Sequence, residues 1–131
     1  MEINLKIFAI SGIIFFLIDS VFLSIISKKY GEMIKKIQNK PMKVRILSAV
    51  VCYALLIFSL NYFILSNDEN QELRALFLGW TIYGVYDSTA YALIEDWDIK
   101  MALIDGVWGG ILFYLSTIST KFFLKNFLKN M

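Results

Sequence analysis

The chain of 131 residues has no histidine, one proline, one cysteine and only 18% charged residues. Without histidine there is no imidazole-ligated haem or zinc, no His-containing di-iron site and no His general base. Any metal bound to protein would have to take mostly oxygen ligands, the preference of Mg2+, Mn2+ and Ca2+. No lysine lies near the middle of a long apolar run, so a retinal-type Schiff base is excluded as well. The lone Cys52 forbids an intramolecular disulfide and carries no information about redox compartment.

What the chain has in abundance is apolar surface. Hydrophobic residues make up 58% of it and the mean hydropathy is +0.62. A soluble domain of this size needs far more polar residues than that. The charges fall in runs between four apolar segments, Ile7 to Ile26, Val44 to Leu65, Leu73 to Ile94 and Met101 to Phe123. Each is long enough to cross a bilayer, which takes about 20 residues. The first lacks a basic start and a small-residue cleavage site and carries Asp19, so it reads as a retained span. No segment shows the broad polar face of a soluble bundle helix. The expected fold is therefore all-α: one integral membrane domain over residues 1–131, a four-helix bundle with short loops.

The connections differ in charge. Lys28 to Arg45 holds seven Lys and Arg against one acid, Glu32. Within it Tyr30, Met33, Ile34 and Ile37 recur at i, i+3, i+4 and i+7, the pattern of a basic amphipathic helix lying on anionic lipid headgroups. Pro41 suits the first turn of the second span. The Ser66 to Glu72 connection is short and acidic. Glu95-Asp96-Trp97-Asp98 is so short that spans three and four form an antiparallel hairpin, with Trp97 an interface anchor and one of the acids a helix cap. The first connection plus Lys100 carries eight of the Lys and Arg residues, against five elsewhere (Lys6, Arg74, Lys121, Lys125, Lys129). The positive-inside rule thus places the 28–45 loop in the cytoplasm. Beyond the lipid bilayer a homo-oligomer is the expected partner, and nucleic acid is not expected.

Three aspartates interrupt the apolar segments: Asp19, Asp87 and Asp105. A carboxylate in hydrocarbon is expensive unless it is paired, protonated or facing water, so each is a candidate functional residue. With 1.5 Å of rise per residue and alternating spans, all three fall in the same half of the membrane, within about 10 Å of one another in depth. Each also has a structural reading. Asp19 and Asp87 can be bonded across helices, and Asp105 is close enough to a helix start to complement its dipole.

Polar and aromatic residues accompany the acids. Trp80, Tyr83, Gly84, Asp87 and Tyr91 recur at helical steps, and Asp105, Trp108, Gly109 and Leu112 share a face. Ser20, Ser24 and Ser27 lie in a stripe beside Asp19, and Tyr53 and Asn61 are further donors. Tyr83, Tyr91 and Trp108 join the aspartates as candidate proton-, cation- or ligand-binding residues, and a metal, if any, would sit on Asp19, Asp87 and Asp105. Gly106-x-x-x-Gly110, with Gly79 and Gly84, reads as close helix packing.

These same residues resemble the signature of domain-of-unknown-function family 2177, small predicted four-span membrane proteins. Phe16-Leu17-Ile18-Asp19-Ser20-Val21-Phe22-Leu23 resembles its L-D-x-x-W-L element, with Phe22 for the Trp. Tyr86-Asp87-Ser88-Thr89-Ala90-Tyr91-Ala92-Leu93 resembles Y-D-x-T-N-x-A-T-L, with Ala90 for the Asn. Trp97 and Asp105-Gly106-Val107-Trp108-Gly109 are similar to W…D-x-x-W-G. The resemblance implies that the three aspartates are signature acids and implies no activity. On the residues alone, the first expectation is a small proton- or cation-coupled transporter or channel. The alternatives are a membrane-embedded metal-dependent enzyme acting on lipid or isoprenoid phosphates, and a structural or accessory membrane protein. Whether it is an enzyme is left open.

Overall fold

The computed structural model describes residues 4–128. Among them are four helices and no strand: α1 Leu5–Gln38, α2 Ile46–Ser59, α3 Gln71–Leu93 and α4 Ile99–Phe123. Single π-helical stretches, Leu60–Leu65 and Leu124–Leu128, extend α2 and α4. Lys129, counted above among the C-terminal cations, lies outside the described residues.

The helix ends follow their local chemistry. Asn4 caps α1 by accepting from the Ile7 N–H at 2.8 Å, and Asp98 caps α4 by accepting from the Lys100 N–H at 2.8 Å. Asn39 closes α1 in the left-handed region at φ 60°. The Gln38 amide then donates to the Lys40 and Pro41 carbonyls at 3.1 and 3.0 Å. Residues 39–45 are thereby held out of helix, so Pro41 belongs to the connection and not to the first turn of α2 as expected. The Leu60–Leu65 stretch carries the Ser66 N–H to the Asn61 carbonyl at 2.9 Å. Gln71, at the head of α3, donates to the Ile64 and Leu65 carbonyls at 3.2 and 3.4 Å.

The apolar and polar residues are arranged the reverse of a soluble protein. Leu5, Ile25, Ile46, Leu47 and Leu93 are each more than 70% exposed, while Ser11, Asp19, Asn61, Asp87, Ser116, Thr117 and Thr120 are buried. An apolar exterior of that extent is matched to lipid. Three helices (α1, α2 with its extension, α4 with its extension) are long and apolar enough to cross a membrane. The expected third span, α3, has the length but not the apolarity. Trp80, Thr81, Tyr83, Tyr86, Asp87, Ser88, Thr89 and Tyr91 dilute it.

The seam between α3 and α4 depends on three glycines. A Cβ on Gly79 would lie 2.1 Å from the Gly109 carbonyl oxygen. A Cβ on Gly109 would enter the Tyr83 ring, and one on Gly110 the Trp80 ring. Gly84 and Gly106, expected to share in this packing, have nothing within 4 Å of a Cβ. Their missing side chains open a groove instead.

The basic amphipathic segment is helical, but it is the second half of α1 and not a helix of its own. With 34 residues α1 is about 51 Å long, well beyond the roughly 30 Å of hydrocarbon. Nothing between Ser27 and Gln38 stops it; Gly31 is the one weak former. Its apolar stripe was expected on the headgroups. It packs on the α3–α4 connection: Met33 is buried with Trp97, Met101 and Ala102, flanked by Tyr30, Ile34 and Ile37. Trp97 is therefore only 5% exposed and is a core residue, not an interface anchor. Its ring meets Tyr30 and Tyr86 edge-on at centroid distances of 5.9 and 6.1 Å.

Candidate functional site

Asp19 lies midway along α1 on the face turned to α2 and α4. The Tyr53 hydroxyl of α2 donates a short hydrogen bond to its Oδ2. The Trp108 indole of α4 donates to its Oδ1 at 2.9 Å. Both carboxylate oxygens are thus satisfied while the residue is only 5% exposed. Two phenol- and indole-type donors are the means by which a buried carboxylate becomes tolerable without a cation. Phe22, one turn along α1, stacks flat on Trp108 at 4.6 Å and fixes the indole plane. The expected stripe of serines does not reach Asp19. Ser20 and Ser24 donate to the Phe16 and Val21 carbonyls of their own helix at 2.7 Å each.

Asp87 stands in a different environment. It is 3% exposed, and among the described residues neither carboxylate oxygen has a hydrogen-bond partner. The Asp105 carboxyl of the facing helix is near enough to interact with it, and so is the Trp97 indole. No hydrogen bond joins them in this arrangement, and the buried Trp97 N–H is itself unpartnered. The α3–α4 glycine seam places the pair, since a helix held close at Gly79–Gly109 carries its neighbours along the same line.

Asp87 and Asp105 border two separate cavities. Asp87 lines a lateral groove of about 500 Å3 between α3 and α4, with Trp80, Gly84, Tyr91 and Gly106. Asp105 lines a cleft of about 450 Å3 reached by all four helices, with Phe22, Tyr30, Tyr83 and Tyr86. Each acid of the pair thus lines one cavity and not the other.

The candidate residues therefore divide into three groups. Asp19 and Trp108 form one unit with Tyr53, although Trp108 shares its helix face with Asp105. Asp87 and Asp105 form a second, and Tyr83 flanks it in the cleft. Tyr91 is 49% exposed on the groove wall and is hydrogen-bonded to neither acid. Asn61 is remote from the acids: its amide donates to Ser11 Oγ and the Ile57 carbonyl, both at 2.9 Å. Among the described residues no three His, Cys, Asp or Glu side chains are grouped to hold a metal ion. The supposed shared Asp19–Asp87–Asp105 ligand set is not assembled, because Asp19 turns both oxygens to its two donors. Trp97 was missed as a neighbour of Asp87. The signal was its position in a four-residue connection directly beside the amphipathic stripe.

A family model described as a predicted membrane protein, DUF2177, matches residues 4–122. The chain belongs to that family. The match covers α1, α2, α3 and α4 to its last residue but one, so the seam, the Asp19 unit and the carboxyl pair all lie within the family's length. Among curated proteins and among solved structures, none matches the chain. DUF2177 membership establishes a membrane protein and brings no activity with it.

Proposed function

We propose that this DUF2177 protein is a small multi-pass proton- or cation-coupled transporter or channel whose exchangeable site is the Asp87–Asp105 pair. The observation that carries the reading is a 97%-buried carboxyl, Asp87, with no donor on either oxygen and a second carboxyl beside it. Two like carboxylates cannot both keep their charge cheaply in a low-dielectric surround. A proton or a monovalent cation between them removes the conflict. Each acid lines a different cavity, so an ion or proton received from one side can be released to the other. Asp19 has a different role: saturated by Tyr53 and Trp108, it ties α1 to α2 and α4. The metal-dependent enzyme reading finds no group of three candidate ligands among the described residues and would have to rest on two carboxylates and the substrate's own phosphate. The exposed lysines of the 28–45 segment fit anionic headgroups, with that end of the bundle in the cytoplasm.

Infrared difference spectra of the purified protein, recorded through a pH titration, test the reading. A carboxyl band that gains and loses its proton, and that disappears in both Asp87→Asn and Asp105→Asn but persists in Asp19→Asn, is the expected result. A spectrum unchanged by either substitution sinks the proposal.

A further inference from the structure

The cleft beside Asp105 has a distinctive chemistry. Its wall carries four aromatic rings, Phe22, Tyr30, Tyr83 and Tyr86, and one carboxyl, Asp105; no Lys or Arg is among its lining residues. The Tyr30 and Tyr86 hydroxyls are joined at 3.1 Å, which leaves the rings themselves as wall. The buried carboxyl behind Asp105, that of Asp87, has no donor and no cation among the described residues. The cavity thus combines negative charge without a counter-ion and aromatic faces of negative quadrupole.

Each class of ligand meets this differently. An anion is repelled. A neutral apolar molecule satisfies the walls and leaves the carboxyl uncompensated. A small hydrated metal ion would have to shed water against apolar rings that do not replace it. A weakly hydrated organic cation satisfies both parts, with its charge on Asp105 and its body on the rings. We infer that this cleft binds lipophilic organic cations, quaternary or delocalised ammonium- and phosphonium-type molecules, with Asp105 as their counter-ion. The inference rests on the reading of Asp87–Asp105 as an exchangeable site and adds the class of molecule that shares it.

A consequence is competition between this cation and a proton. The titratable groups facing Asp105 are Asp19 and Tyr30 from α1, Cys52 from α2, and Tyr83, Tyr86 and Asp87 from α3. Asp19 already holds two donors, so Asp87 and Asp105 are the acids left to answer the cation. Binding should weaken as the pH falls, because protonation of the pair removes the charge that holds it.

Binding of tetraphenylphosphonium to the full chain in lipid nanodiscs, against empty nanodiscs, is the test. Triphenylphosphine oxide serves as the neutral comparator. The expected result is saturable phosphonium binding at least about tenfold tighter than that of the oxide, and weakened about tenfold or more by Asp105→Asn. Ser27→Phe fills the cleft from an exposed wall position without touching the acids, and should weaken binding while the protein stays folded. Equal affinity for the neutral oxide, or unchanged binding in both variants, overturns the inference and leaves the cleft to lipid chains. The two readings fail separately. A carboxyl band that titrates through Asp87 and Asp105 without phosphonium binding overturns only the ligand class. Phosphonium binding that depends on Asp105 without that band overturns the proton site.

Discussion

Asp19 on α1 and Asp87 on α3 are equally buried acids, yet one has a donor on each oxygen and the other has none. The first arrangement is organised around a permanent negative charge. Tyr53 and Trp108 would be stranded without it, and Phe22 holds the indole in place for it. In the second no hydrogen bond is made to Asp87, and the nearby Trp97 N–H is itself unpartnered. Burial alone therefore does not identify a working acid in a bundle like this one. The distribution of donors does.

The comparison breaks most completely if the seam beneath it is opened. Gly109→Ala drives a methyl group into the Tyr83 ring, where the nearest ring atom would lie 2.2 Å away. We expect a loss of about 3 kcal/mol or more, or failure to fold, read by thermal or SDS unfolding in detergent. Gly84→Ala, with nothing within 4 Å, should change stability by less than about 0.5 kcal/mol. A mild Gly109→Ala would mean that the seam does not hold Asp87 against Asp105.

The two acids themselves should then respond with opposite signs. Asp19→Ala leaves the Tyr53 hydroxyl and the Trp108 indole without their acceptor, at about 2–4 kcal/mol together. Asp87→Asn removes an acid that makes no hydrogen bond on either oxygen, and should leave the protein unchanged or more stable by about 1 kcal/mol. The same unfolding measurement reads both. Destabilisation of similar size at the two positions would erase the distinction between a structural acid and an exchangeable one.

Much of this bundle was legible before its structure. Three of the four helices lie within a few residues of the hydropathy boundaries, whereas α1 runs twelve residues past Ile26, because run length marks the apolar stretch and not where a helix stops. Tyr53 was already a candidate donor and Asp98 a candidate cap. Rise per residue gave each aspartate a depth, but depth is only one coordinate. It placed Asp19 level with the other acids without revealing which neighbour each side chain turns toward. Trp108 shows the gap: it shares a helix face with Asp105, yet its indole is long enough to cross to Asp19. The stripe at Tyr30, Met33, Ile34 and Ile37 was correctly amphipathic. Periodicity says that a face is apolar and not whether lipid or protein covers it, and here it covers Trp97. Gly84 and Gly106 were misread for the same reason, since spacing does not distinguish a contact glycine from one that leaves a groove.

A third acid, Glu72 at the head of α3, supplies the ordinary reference against which both buried ones can be measured. Lys121 donates to it at 2.6 Å, and this hydrogen bond holds the carboxyl below the usual glutamate range. A lowered value in the folded state means that the pair contributes above the unfolded glutamate value, about 4.3, and that the contribution fades as the pH falls through the folded value. The two side chains are 38% and 40% exposed, so solvent screening keeps the pair to about 0.5 kcal/mol or less. Glu72→Gln should therefore remove a small acid-side slope from a stability-against-pH curve, and high salt should remove it equally. Asp87 is buried and Asp105 half-buried inside the bundle, where salt screens far less, so a slope belonging to this pair should largely survive both treatments. A pH dependence that disappears entirely with Glu72→Gln or with salt would mean that the buried pair does not exchange protons over that range. The comparison between Asp19 and Asp87 would then be one of packing alone.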